Sequence, residues 1–114
     1  MNPLKKKAYE LSVEVYTLTS QLPKYEQMVM ALMLKRLSLS VLSNTSKALS
    51  NNNKDDSLFF INYANASSHS IKSLMDMAKE IGYITNEQHS SVNEKCISLS
   101  RNIISFLKNK KDFY

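Results

Sequence analysis

Leu4–Leu22 reads LKKKAYELSVEVYTLTSQL, and its apolar residues Leu4, Ala8, Leu11, Val15, Leu18 and Leu22 recur at alternating steps of four and three. That spacing keeps one face of an α-helix apolar along its whole length, because side chains three and four apart stack above one another. Asn2-Pro3 precedes the stretch, which suits an N-cap followed by proline in the first turn. Pro23 then breaks the pattern. The stretch is a complete amphipathic helix with both its ends marked.

The same stripe repeats three times further along the chain. A second segment, Tyr25 to Leu49, places Met30, Leu34, Leu37, Val41 and Ala48 on one face. A third, Asp56 to Ile81, carries Phe60, Ala64, Ser67, Ile71, Leu74, Ala78 and Ile81. A fourth, Asn86 to Lys110, carries Val92, Cys96, Leu99, Ile103 and Phe106. The connections are short and polar: Leu22-Pro23-Lys24, then Asn51 to Asp55 with Asp55 or Asp56 as the next N-cap, then Gly82-Tyr83-Ile84. Gly82, the sole glycine of the chain, falls where the third helix ends in the left-handed slot, and Thr85 with Gln88 forms a capping box for the fourth. Four helices joined by short turns predict an all-α, antiparallel, up-down-up-down four-helix bundle, with residues 1–114 as one domain.

Hydrophobic residues make up 43% of the 114-residue chain, which supports a real core, though a domain this small gains from oligomerisation. The second helix carries more apolar surface than one stripe needs, since Met28 to Leu34 is apolar at seven consecutive positions. An all-round apolar helix is buried on more than one side. Met28, Met30, Leu32 and Met33 are therefore expected at a contact with another copy of the chain or in the adjoining core. Phe59 and Phe60, from the apolar cluster Leu58 to Ile61, belong with them.

Catalytic chemistry is absent from the sequence. His69 and His89 have no neighbouring Cys, Asp or Glu at ligand-pair spacing, and the Glu-x-x-His motif of di-iron bundles does not occur. Cys96 sits on the apolar stripe, as an inert core thiol would. A single glycine rules out a glycine-rich phosphate loop. No enzyme activity, cofactor or metal is expected. The longest apolar run is far short of the ~20 residues of a membrane span, and the expected location is the cytoplasm, with no membrane partner.

The charge is +5, with a pI near 9.3. Such an excess suits a polyanionic partner, RNA or DNA, and it also suits a merely solvated surface. The predicted topology gathers Lys5, Lys6, Lys7, Lys47, Lys54, Lys108, Lys110 and Lys111 at one end, opposed by Asp55, Asp56 and Asp112. The polar face of helix two is a second basic region, with Lys35 and Arg36 beside Ser38, Ser40, Ser43, Asn44, Thr45 and Ser46. Those short side chains serve equally as donors to phosphate oxygens or as helix–helix contacts. No aromatic platform is legible near either patch, so little base selectivity is expected.

Several stretches resemble one family in order and spacing. Leu18 to Glu26 looks like its helix-one exit, Leu34-Lys35-Arg36 is similar to its Leu-Arg-Arg, and Ser40 to Asn44 is similar to its Ser-Ile-Pro-Ala-Asn. Leu74 to Tyr83 resembles the end of its helix three. The family is that of the bacterial four-helix proteins encoded in intervening sequences of large-subunit ribosomal RNA genes. Its relatives are the accessory variability proteins of diversity-generating retroelements. The chain departs from the first branch at Thr45-Ser46-Lys47-Ala48, where Ile-Ala-Glu-Gly is usual, and it lacks the first-helix tryptophan. The resemblance implies a basic, ring-shaped homopentamer without catalytic activity. In the retroelement branch it also implies a reverse transcriptase and its template RNA as partners.

Overall fold

Asn2 accepts a hydrogen bond from the Leu4 amide at 2.8 Å, and with Pro3 at the first helical position it starts α1, Pro3–Leu18. The chain next makes a 3-10 turn over Thr19–Gln21, an extended step at Leu22 and Pro23, and a second 3-10 turn over Lys24–Glu26. The second helix, α2, is Met30–Ser50, so it begins five residues later than the periodicity predicts. The cause is Gln27. Its side-chain amide donates to the carbonyls of Thr19 and Leu22, both at 2.9 Å, and so caps the end of α1. The segment that holds Gln27 there cannot also be α-helical.

Asn53, and neither Asp55 nor Asp56, caps α3, Lys54–Ile81; its side chain accepts from the Asp56 amide at 3.0 Å. The two aspartates fall in the first turn, where their charge favours the helix dipole. At the other end Gly82 takes φ 93°. The Tyr83 amide bonds the Ala78 carbonyl at 2.8 Å and the Gly82 amide bonds that of Lys79 at 3.0 Å, which is a Schellman cap. Thr85 and Gln88 exchange backbone and side-chain bonds at 2.9 and 3.1 Å, the expected capping box, and α4 runs Asn86–Phe113. This computed structural model describes residues 1–113, with side chains described through Asn109.

Each helix packs on its neighbour in sequence, and α1 closes on α4, which gives the up-down-up-down bundle in a body of 47 × 24 × 22 Å. Every residue of the α1 stripe is buried, as are Val92, Cys96, Leu99 and Ile103 of α4. The core face of α3 differs from the predicted one. Ser57, Ile61, Ala64, Ser68, Ile71, Met75 and Ala78 point inward, whereas Phe60 and Leu74 are half-buried and Ile81 is exposed. Small side chains at Ser57 and Ser68 let the neighbouring helices come close. The Ser57 hydroxyl donates to the Ala48 carbonyl at 2.7 Å, and the Ser68 carbonyl accepts from the Cys96 thiol at 3.8 Å. The buried Ser57 hydroxyl thus keeps a partner, whereas the Asn65 side-chain oxygen, buried on the same helix, has none among the described residues.

Along the seam between α1 and α4 three polar pairs meet: Lys7 with Ser98 at 2.7 Å, Glu14 with Lys95 at 2.9 Å, and Gln21 with Gln88 through bonds of 2.6 and 3.0 Å.

Candidate nucleic-acid interface

The antiparallel packing fixes where each cation lies. Ser12 donates to the Ser38 carbonyl at 2.8 Å, and Ser57 to that of Ala48, so the start of α1, the end of α2 and the start of α3 share one end. Lys5, Lys6, Lys47 and Lys108 are exposed, and Lys54 is half-buried in the first turn of α3. Lys7 departs from the predicted set, because its ammonium donates to Ser98 and is held in the seam with α4. Lys110 and Lys111 fall in the last turns of α4, and their side chains lie outside the described residues.

Lys35 and Arg36 form a separate patch. Lys35 precedes Lys47 by twelve residues on α2, about 18 Å along the axis. The Lys35 ammonium sits 5.5 Å from the centre of the Tyr16 ring, while Arg36 is exposed. Most of the short donors around it have internal partners. Ser38 donates to Leu34 and Thr45 to Val41, each on its own helix; Ser40 pairs with Ser67; and Asn44 donates to the Ser40 carbonyl. Of those four, Ser40 makes a helix–helix bond and the other three bond within α2, while Ser43 is left exposed.

The structure corrects the expectation about aromatics. Phe59 and Tyr63, one turn apart on α3, are 58% and 56% exposed, with their ring centres 5.5 Å apart. Phe60 makes an edge contact with Phe59, and the Lys47 ammonium lies 5.5 Å over the Phe60 ring. A pair of outward aromatic rings therefore stands at the same end as these cations. The i, i+4 spacing of Phe59 and Tyr63 is visible in the sequence, but Lys47, which lies over the adjoining Phe60 ring, comes from another helix.

The predicted oligomer positions also divide. Met30 is a core residue, and Leu32 and Phe60 are half-buried. Met28, at 79%, and Met33, at 54%, are exposed, and Met33 borders a shallow groove with Leu37 and Leu74. Phe59 lies fifteen residues from Leu74 on α3, about 22 Å away, so the two apolar clusters sit at opposite ends of the α2–α3 face.

His89, Cys96 and Tyr83 have structural partners, and His69 is exposed. His89 Nε2 lies 2.6 Å from Asp76 Oδ1, tying α4 to α3. Burial pushes the Cys96 thiol pKa up, which keeps it protonated and a poor nucleophile. The Tyr83 hydroxyl contacts that of Tyr25 at 3.3 Å and donates to the Glu26 carboxylate at 2.9 Å, and these bonds hold its pKa above the ordinary value. Among the described residues no three His, Cys, Asp or Glu side chains cluster to hold a metal ion, and no helix is long and apolar enough to cross a membrane.

The described residues thus form a basic four-helix bundle with exposed cations and aromatic rings at one end. Residues 2–105 match the family described as 23S rRNA-intervening sequence protein, and the chain belongs to that family. Among curated proteins none is similar enough in sequence to count as a relative. A crystal structure from Bacteroides thetaiotaomicron, of a protein of unknown function from the S23 ribosomal protein family, has a similar fold. It aligns with TM-score 0.84 and 24% identity, over 92% of this chain and 98% of that one. That likeness concerns the fold alone; neither description is that of an enzyme.

Proposed function

We propose that the chain is a non-enzymatic, oligomeric accessory protein that binds nucleic acid, single-stranded RNA in particular, through the end that carries Lys5, Lys6, Lys47 and Lys108. The observation that carries the proposal is the pair of exposed rings, Phe59 and Tyr63, at the same end as those cations, with Lys47 over the adjoining Phe60 ring. Cations follow a phosphate backbone of any sequence, and outward rings stack on unpaired bases. A duplex offers no free base face, so this pairing favours single strands over double strands. Self-association completes the proposal: Met28 and Met33 present apolar surface to water, and five copies are what the family resemblance implies. A ring would repeat a charge of +5 per chain and turn weak contacts into avidity. Nothing on the described surface selects a reverse transcriptase as partner.

The test is retention of labelled single-stranded RNA, and of the same sequence as DNA, across a salt series. Log affinity should fall with log salt by about 0.7 per phosphate contacted on a single strand. Lys5→Ala with Lys6→Ala should flatten that slope without unfolding the bundle, since both side chains are exposed. Phe59→Ala and Tyr63→Ala should each weaken binding by about 1–3 kcal/mol while leaving the slope unchanged. If neither RNA nor DNA is retained at about 50 mM salt, a purely structural protein–protein module is what remains. Light scattering that shows a monomer at tens of micromolar protein removes the assembly part.

A further inference from the structure

The outer face of α1 and α2 carries apolar side chains that the core does not use. Tyr9, Val13 and Tyr16, spaced four and three apart on α1, and Leu39 on α2 are each between 43% and 57% exposed. Val13, Tyr16, Leu39 and Leu42 line a groove of about 220 Å³ between the two helices. Cations stand at both ends of this strip. Lys5 and Lys6 come one turn before Tyr9, and Lys35 and Arg36 come one turn before Leu39, so each pair shares the face of its apolar neighbour. The helices are antiparallel, with Ser12 bonded to the Ser38 carbonyl at 2.8 Å, and the two pairs therefore lie at opposite ends. Six or seven residues part the first pair from Ser12 and two or three part the second from Ser38, which sets the pairs about 14 Å apart along the axis. Among the described residues none of these four cations is in an ion pair. Acids are missing from this face. From Met30 to Ser50, α2 has neither Asp nor Glu. On α1, Glu14 is held by Lys95 of α4, and Glu10, three residues after Lys7 and four before Glu14, shares that α4 flank.

A strip that is basic, then apolar, then basic selects a partner with the complementary order. The groove between two packed helices is the seat of a third helix, whose side chains at steps of four and three enter it. Nucleic acid fits this face less well than it fits the Phe59 end. Val13, Leu39 and Leu42 are aliphatic and give a base no ring to stack on, and the Lys35 ammonium already lies 5.5 Å from the centre of the Tyr16 ring. We propose that the α1–α2 groove docks an amphipathic helix of a partner protein. Its apolar stripe lies on Val13, Tyr16, Leu39 and Leu42, and acidic residues beyond each end of the stripe meet Lys5 with Lys6 and Lys35 with Arg36. The charges guide the helix into register and the apolar contact holds it. Neither Phe59 nor Tyr63 takes part, so the site stands whether or not the chain binds RNA.

The experiment is a titration of the full chain into a fluorescently labelled synthetic peptide, followed by anisotropy. The peptide is an alanine-rich helix of about twenty residues, with three leucines at steps of four and three and a pair of glutamates one turn outside them at each end. Saturable binding that weakens with added salt is expected. Leu39→Ser and Arg36→Gln, both at exposed positions, should each weaken it roughly tenfold with the far-ultraviolet circular dichroism unchanged. A peptide with glutamine in place of glutamate should bind roughly tenfold more weakly, and peptides with lysine for glutamate or serine for leucine should not bind. Phe59→Ala with Tyr63→Ala should leave the titration unchanged, which separates this site from the nucleic-acid end. The proposal is overturned if the acidic peptide does not bind, if the lysine peptide binds as well, or if Leu39→Ser binds as the wild type does. Two other results give the groove a different occupant and overturn it equally. One is light scattering in which Leu39→Ser turns a wild-type oligomer into a monomer, which assigns the groove to a second copy of the chain. The other is phosphatidylglycerol vesicles that retain the wild type but not Leu39→Ser, which assigns it to a lipid surface.

Discussion

Replacing Ile61 by alanine tests which face of α3 is its core face. Ile61 is fully buried, and the change removes three carbon atoms from a closed interior. At about 0.8 kcal/mol per buried carbon group, the transfer loss is about 2.4 kcal/mol. The cavity left behind adds to it, for a total of about 3–4 kcal/mol. Phe60→Ala removes more carbon but from a half-buried site on the outer flank, and should cost about 1.5 kcal/mol. Urea unfolding at one fixed protein concentration reads both, because the proposed self-association would make stability depend on concentration. With a slope of about 1.5 kcal/mol per molar urea, Ile61→Ala should lower the midpoint by about 2 M and Phe60→Ala by about 1 M. If Phe60→Ala proves the costlier, α3 turns its other stripe inward and the packing described above is wrong.

Gly82→Ala should destabilise by about 1–2 kcal/mol. No atom lies within 4 Å of the added carbon, so the whole cost is the positive φ, and Gly82→Asn should cost less. Equal melting temperatures for the wild type and both variants would refute the cap. Tyr83 carries a pH prediction. Its bonds to Tyr25 and Glu26 favour the protonated hydroxyl in the folded state, so its pKa there exceeds the ordinary 10.0. A raised folded-state value gives stability that is complete below pH 10 and is lost as pH rises above it. Tyr83→Phe should therefore show a shallower fall in the urea midpoint above pH 10 than the wild type; identical falls would refute the contact.

Periodicity made α1 legible to the residue, since all six members of its stripe are buried. It failed on α3 for a definite reason. Two seven-residue patterns run along that helix and share Ala64, Ile71 and Ala78. One adds Phe60, Ser67, Leu74 and Ile81, of which Ser67 alone is buried; the other adds Ser57, Ile61, Ser68 and Met75, and counting apolar carbon favours the first. The second wins in part because the Ser57 hydroxyl bonds the Ala48 carbonyl on α2, a partner that sequence spacing does not show. The late start of α2 was hidden likewise, in the bonds of one glutamine side chain. The basic end was readable from topology, apart from Lys7, which Ser98 holds.

The three polar pairs between α1 and α4 bear on a degeneracy built into the stripe itself. Leu4, Leu11 and Leu18 repeat every seven residues, and so do Ala8, Val15 and Leu22. A bundle closed by these residues alone would hardly notice if α1 slid along α4 by one full repeat. Lys7, Glu14 and Gln21 share that interval, yet each carries different chemistry. Slide α1 one way and the Lys7 ammonium meets that of Lys95. Slide it the other way and Glu14 faces Ser98, while Lys95 has an amide in place of its carboxylate. Pairs this near the surface add about 1 kcal/mol or less each to stability. Their effect is to make the misaligned bundles worse, so that a periodic sequence closes in one alignment.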